Sequence, residues 1–127
     1  MVIRESAEDY LEAILVITEQ NGRARSIDVA KHLGITKPSV SVAMKNLRTE
    51  GYIDMDRNGD LTLLPSGRAI AEKTYERHVT IRDLLVSLGV DYQTAAKDAC
   101  RMEHAISDES FLAIKNHAQA MRKKITE

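Results

Sequence analysis

The run Cys100-Arg101-Met102-Glu103-His104 sets a thiol, a carboxylate and an imidazole at positions i, i+3 and i+4. On a helix these fall within about 100° of one face. Soft, hard and borderline donors converging beside the apolar face of Ala95, Ala96, Ala99 and Ile106 are a ligand set for a divalent cation. A buried cysteine flanked by a surface ion pair is the plainer alternative for the same spacing. Asp9 and Glu12 stand i, i+3 on a predicted first helix, about 60° apart and opposite a stripe of Ala7, Leu11, Ile14 and Thr18. Taken alone, they read as a solvated face. His78 lies in a stripe of Ala71, Thr74, Ile81 and Leu85, where a hydrogen-bonded core histidine is the simplest reading.

A second chemistry, contact with duplex DNA, is written between residues 26 and 64. Ala30, Gly34 and Val40 have the spacing of a helix-turn-helix: a small residue where two helices touch, a glycine in the turn and an apolar anchor on the second helix. With Val29, Leu33, Ala43 and Leu47 as the shared core, Lys37, Ser39, Ser41, Val42, Lys45, Asn46 and Arg48 face solvent. The candidate DNA contacts are Thr36, Lys37, Pro38, Ser39, Ser41, Val42, Lys45 and Arg48. A winged module used for protein contacts is the alternative.

These groups need elements to hold them. Ser6, followed by Glu8 and Asp9, predicts the N-cap of a helix over about 7–20, and Ser26 that of a short helix over 27–33. Thr36-Lys37-Pro38 opens a third helix running to Gly51. Two short strands, 52–55 and 61–64, flank Asn58-Gly59, expected to supply the positive φ angles of a tight hairpin turn. Pro65-Ser66 starts a long helix to Leu88, Asp91 caps another to about Ile106, and Ser107-Asp108 caps a last one to about Met121.

Composition bounds the rest. Eighteen Lys plus Arg against 19 Asp plus Glu leave a net charge of -1 over 127 residues, so bulk charge cannot bind nucleic acid. The basic charge is local: residues 23–48 hold six bases against Asp28 alone, whereas 1–22 hold one Arg against five acids. From 69 to 127, nine bases and nine acids cancel. The change in character near residue 68 divides the chain into a winged helix-turn-helix domain, 1–68, and a helical domain, 69–127. A single cysteine, and the lack of a signal segment or a long apolar run, predict a cytoplasmic protein with no membrane partner.

Four segments together resemble the diphtheria-toxin-repressor-like metalloregulators, and most nearly their short two-domain manganese transport regulators. They are Glu8-Asp9-Tyr10-Leu11-Glu12, Lys37-Pro38-Ser39-Val40-Ser41, the pair Arg77-His78, and the run from Asp98 through Cys100, Glu103 and His104 to Asp108. The resemblance spans residues 6 to about 116. It implies a mainly α fold: an N-terminal winged helix-turn-helix with a small β-hairpin, then an α-helical dimerisation and metal-binding domain. It further implies a homodimeric repressor of palindromic operator DNA, activated by Mn(II), with Fe(II) as the alternative. The metal ligands it implies are Asp9, Glu12, His78, Cys100, Glu103 and His104. Cys100 stands where manganese sensors typically have a carboxylate, whereas iron sensors have this Cys but a Met where Asp9 stands, so the site is a hybrid. Ala96 and Arg82 occupy positions of a second iron-sensor site, which is therefore incomplete. With the chain ending at Glu127, the SH3-like third domain of the longer iron regulators is not expected.

A switch also follows from charge. Asp9, Glu12 and Glu103 crowded without metal would favour separation of the two halves, and a divalent cation would reverse that sign. Leu84, Leu85, Leu88 and Val90 are the dimer-interface candidates. A metal-independent winged-helix regulator and a zinc enzyme using Cys100, Glu103 and His104 are the other readings.

Overall fold

The computed structural model describes residues 5–126. The elements follow in the order α1 (Glu5–Asn21), α2 (Ser26–Leu33), α3 (Lys37–Thr49), β1 (Ile53–Met55), β2 (Leu61–Leu63), α4 (Pro65–Ser87), α5 (Tyr92–Ala105) and α6 (Asp108–Thr126). The fold is mainly α. Internal contacts divide the chain into two compact units, one through Lys73 and one from Thr74 onward. No helix among the described residues is long and apolar enough to cross a membrane.

In the first unit, Leu11 and Ile14 of α1, Val29 of α2, Val40 and Met44 of α3 and Ile53 of β1 are fully buried. Ala13 and Ile17 are buried as well. The single stripe expected on this helix is therefore too narrow: α1 packs against α2, α3 and β2 instead of lying on the surface with one dry face. Gly34 ends α2 at φ 68°, a left-handed conformation that glycine adopts without a Cβ clash, and its N–H bonds the Ala30 carbonyl. Thr36 then caps α3, accepting from the Ser39 N–H at 3.4 Å while its hydroxyl donates to Ser39 Oγ at 2.9 Å.

Several local expectations change. Ser6 already lies inside α1, which begins at Glu5. Arg25, not Ser26, occupies the N-cap of α2, because the Asp28 carboxylate reaches back to the Arg25 N–H at 3.0 Å and satisfies the helix start from inside. α3 stops at Thr49; Tyr52 N–H bonds back to the Leu47 carbonyl at 3.0 Å and closes the helix end. α6 extends to Thr126, beyond the expected end near Met121.

The hairpin pairs Ile53 with Leu63, Asp54 with Thr62 and Met55 with Leu61, antiparallel. Its loop differs from the two-residue turn expected: only Gly59 has a positive φ, 83°, and Asn58 does not. Gly59 N–H closes onto the Asp56 carbonyl at 3.1 Å, while Asp56 Oδ1 accepts from the N–H groups of Asn58 and Asp60, each at 2.9 Å. A type I turn followed by a left-handed glycine gives the strands their twist with one positive φ instead of two. Leu61 also donates to the Ala24 carbonyl at 2.7 Å, and Arg25 Nε bonds Asp60 at 3.0 Å, so the hairpin base is tied to the α1–α2 connection.

The second unit is built differently. Its buried side chains among the described residues are Thr74, Arg77 and Ile81 of α4 with Ala95, Ala99 and Glu103 of α5. Asp91 caps α5 through the Gln93 and Thr94 N–H groups, and Ser107 accepts from the Ser110 N–H at 3.1 Å at the start of α6.

Met44 is 1% exposed and Val42, two residues earlier, 62% exposed. Met44→Ala is therefore expected to cost about 2–5 kcal/mol by leaving a cavity, whereas Val42→Ala stays within about 0.5 kcal/mol. Urea unfolding of the two variants checks this, and equal losses would contradict the assignment of faces on α3.

Candidate metal centre

Ala95, Ala99 and Glu103 recur every four residues, so they line one face of α5. The two alanines are buried, and the helix carries Glu103 into the same interior. On α4, Thr74, His78 and Ile81 form the facing stripe by the same spacing. A carboxylate and an imidazole are thereby directed at each other from two helices.

His78 Nδ1 lies 3.1 Å from Glu103 Oε2 and 3.7 Å from Cys100 Sγ. His104 Nε2 lies 3.4 Å from the other carboxylate oxygen, Glu103 Oε1. Glu103 is 2% exposed, and the side chain of His104 is nearly as sheltered. Cys100 is exposed and Glu103 buried, the reverse of the plainer alternative of a buried cysteine beside a surface ion pair. Nor is His78 a lone core histidine, since its ring meets both a thiol and a carboxylate.

The hydrogen bond with Cys100 and that with Glu103 raise the His78 pKa from 6.5 to about 10, against the opposing effect of burial. A charged imidazole is thus the counter-ion of the buried carboxylate when no metal is bound. The same donors suit a cation: one ligand atom each from His78, Cys100 and Glu103 lie within 4.8 Å of one another. Imidazole, thiolate and carboxylate together fit a divalent first-row transition metal, which would take over the charge that the His78 proton supplies.

Asp9 and Glu12 are half-buried on α1 in the first unit, not on a fully solvated face. Thr36, Lys37, Pro38, Ser39, Ser41, Val42, Lys45 and Arg48 are all exposed on α3 and its cap. Leu84, Leu85 and Val90 are half-buried and Leu88 is exposed. Sequence reasoning passed over Arg77 except as the neighbour of His78. It is buried and bonds the Glu103 main chain; its position three residues after Thr74 and four before Ile81 was the available signal.

Residues 3–61 match the iron-dependent repressor N-terminal DNA-binding domain, and residues 64–124 the iron-dependent repressor metal-binding and dimerisation domain. The chain is 35% identical over 116 residues to the transcriptional regulator MntR of Escherichia coli O6:H1, covering 91% of this chain and 75% of that protein. It is also 35% identical over 123 residues to an HTH-type transcriptional regulator of Methanocaldococcus jannaschii, covering 95% and 98% respectively. Among solved structures, a manganese-dependent transcriptional repressor in complex with manganese superposes with a TM-score of 0.81 at 28% identity, over 89% of this chain and 52% of that one. IdeR of T. acidophilum shares the fold at a TM-score of 0.78 and 24% identity, over 92% and 55%. The chain spans about half the length of these two solved proteins.

The charged state of His78 sets a pH window. Because its folded-state pKa is raised, its contribution to stability is complete below about 6.5 and is lost as pH rises through about 10. Imidazole NMR shifts of the metal-free protein are expected to show His78 still protonated at pH 8. A midpoint near 6.5 would contradict the coupling to Cys100 and Glu103.

Proposed function

The chain belongs to the iron-dependent repressor family, and on that premise we propose that it represses transcription as a homodimer on palindromic operator DNA when loaded with Mn(II), with Fe(II) the alternative cofactor. The observation that carries this reading is the convergence of His78, Cys100 and Glu103 at a buried carboxylate, within the segment that matches a metal-binding and dimerisation domain. The relatives are named transcriptional regulators, so the chain is read as a regulator and not an enzyme. Its proposed place of action is the cytoplasm.

Asp9, Glu12 and His104 join His78, Cys100 and Glu103 as the proposed ligands, on the strength of the matching segments. The carboxylates Asp9, Glu12 and Glu103 favour a hard cation such as Mn(II), and the Cys100 thiolate draws the preference toward Fe(II). The bound cation supplies positive charge where acidic side chains would otherwise repel. Ligands on α1 and on α5 would then tie the DNA-binding unit to the dimerisation unit, which are proposed to correspond to residues 1–68 and 69–127. In a dimer this sets the distance between two recognition helices at about one DNA turn, roughly 34 Å.

On the DNA side, Lys37, Lys45 and Arg48 are proposed to meet phosphates, which makes affinity fall as salt rises. Ser39 and Val42 are proposed to sense base edges, with Thr36, Pro38 and Ser41 as further DNA contacts. The apolar Val42, 62% exposed, suits a thymine methyl.

The test begins with duplexes selected from a random pool in the presence of Mn(II), whose affinity is then measured at buffered free metal. Wild-type protein is expected to bind two-fold symmetric sites, tightened by Mn(II) by the 5–150-fold typical of a coupling of about 1–3 kcal/mol. An Asp9→Ala, Glu12→Ala double variant keeps part of the metal affinity and loses most of the metal-dependent DNA affinity, while Glu103→Ala loses both. Tight binding unaffected by metal would make the protein a constitutive regulator. Full metal-dependent binding by the double variant would remove the two acids from the site.

A further inference from the structure

Arg77 and His78 are consecutive on α4, so their side chains leave the helix about 100° apart, yet both end on the same residue of α5. His78 takes the Glu103 carboxylate at 3.1 Å. Arg77 Nη1 donates to the Glu103 main-chain carbonyl at 3.0 Å and to the Ile106 carbonyl at 2.8 Å. Its Nη2 donates to the Asp108 carboxylate, and the guanidinium carbon stands 5.2 Å from the centroid of the Phe111 ring. Arg77 itself is 7% exposed.

These contacts have a common geometry. α5 ends at Ala105 and α6 begins at Asp108, so only Ile106 and Ser107 separate the two helices. The last turn of a helix leaves carbonyls without intrahelical partners and carries the negative end of the helix dipole. Arg77 meets that turn with a cation and, through Asp108 and Phe111, holds the first turn of the next helix in the same grip. Glu103 and His104 lie within the turn so held.

We propose that Arg77 is a positioning residue for the metal centre, holding the main chain at the end of α5 so that the Glu103 and His104 side chains keep their places opposite His78. It touches no donor atom. Its part requires the shape of the guanidinium, whose planar fork can bond two carbonyls and a carboxylate at once, and not the charge alone. Lysine would preserve the charge and lose the fork.

The inference rests on the metal-centre reading, and the experiment separates the two. Metal-free full-length protein is titrated with Co(II), reading the thiolate-to-cobalt charge-transfer band and the ligand-field bands, with Cys100→Ala as the control for the thiolate. Arg77→Lys, its fold checked by circular dichroism and a cooperative melt, is expected to bind Co(II) roughly 10–100-fold more weakly, the range for losing a group that supports a ligand, and with shifted ligand-field bands. Asp108→Ala keeps Arg77 and its carbonyl bonds but releases the far side of the grip; Asp108 is largely exposed, so this variant is expected to fold and to weaken Co(II) binding by a smaller factor. A folded Arg77→Lys with wild-type affinity and spectrum overturns the proposal. If Arg77→Lys does not fold, Asp108→Ala decides by the same two readouts. A wild-type protein with no Cys100-dependent band overturns the metal-centre reading itself.

Discussion

A carboxylate fully inside a small helical unit is the constraint around which residues 74–126 are arranged. Removing Glu103 from water costs several kcal/mol unless its charge is met at close range. His78 Nδ1 meets one carboxylate oxygen at 3.1 Å, and His104 Nε2 stands 3.4 Å from the other. Ala95 and Ala99 are buried on the same face of α5, Asp91 caps that helix, and Ser107 caps the start of α6. The core there is half polar, unlike the aliphatic interior of the first unit. A core of this kind is a poor source of stability and a good place to exchange one cation for another, since the same negative charge can be met by a proton on His78 or by a metal ion.

The first unit has no such dependence. Leu11, Ile14, Val29, Val40, Met44 and Ile53 close an apolar core that needs no cation, and its basic and hydroxyl side chains are displayed on the exposed face of α3. The division of labour matches the two family domains, one for DNA and one for metal and dimerisation. Regulation is proposed to run through Asp9 and Glu12, by which a bound metal would set the position of the DNA-binding unit.

The order of elements was legible because the chain marks its boundaries with strong local signals: Gly34, Thr36-Lys37-Pro38, Pro65 and Asp91 all act where the spacing placed them. Where a second local contact competes with the expected one, the outcome differs from the expectation. Asp28 displaced Ser26 from the start of α2, and Asp56 reorganised the hairpin so that Asn58 kept an ordinary φ. The candidate donors were visible by type and spacing, and the resemblance supplied the implied ligand set. Burial was the hidden quantity. A glutamate beside a cysteine reads as the exposed partner, whereas Glu103 lies on the buried face of α5 with Ala95 and Ala99, and Cys100 is exposed. Arg77 was hidden for the same reason: its partners are carbonyls and a carboxylate 26 to 31 residues away, which side-chain spacing does not encode.

Metal is proposed to take the place of the His78 proton beside the buried Glu103 carboxylate. Calorimetric titration of Mn(II) into metal-free protein at pH 7.5, repeated in buffers of different ionisation enthalpy, counts the protons released per ion bound. Net release is expected, falling by about one proton in His78→Gln, because a ring whose pKa is raised to about 10 by Cys100 and Glu103 must lose its proton to ligate. Mn(II) binding without proton release, or a count unchanged by His78→Gln, would contradict it.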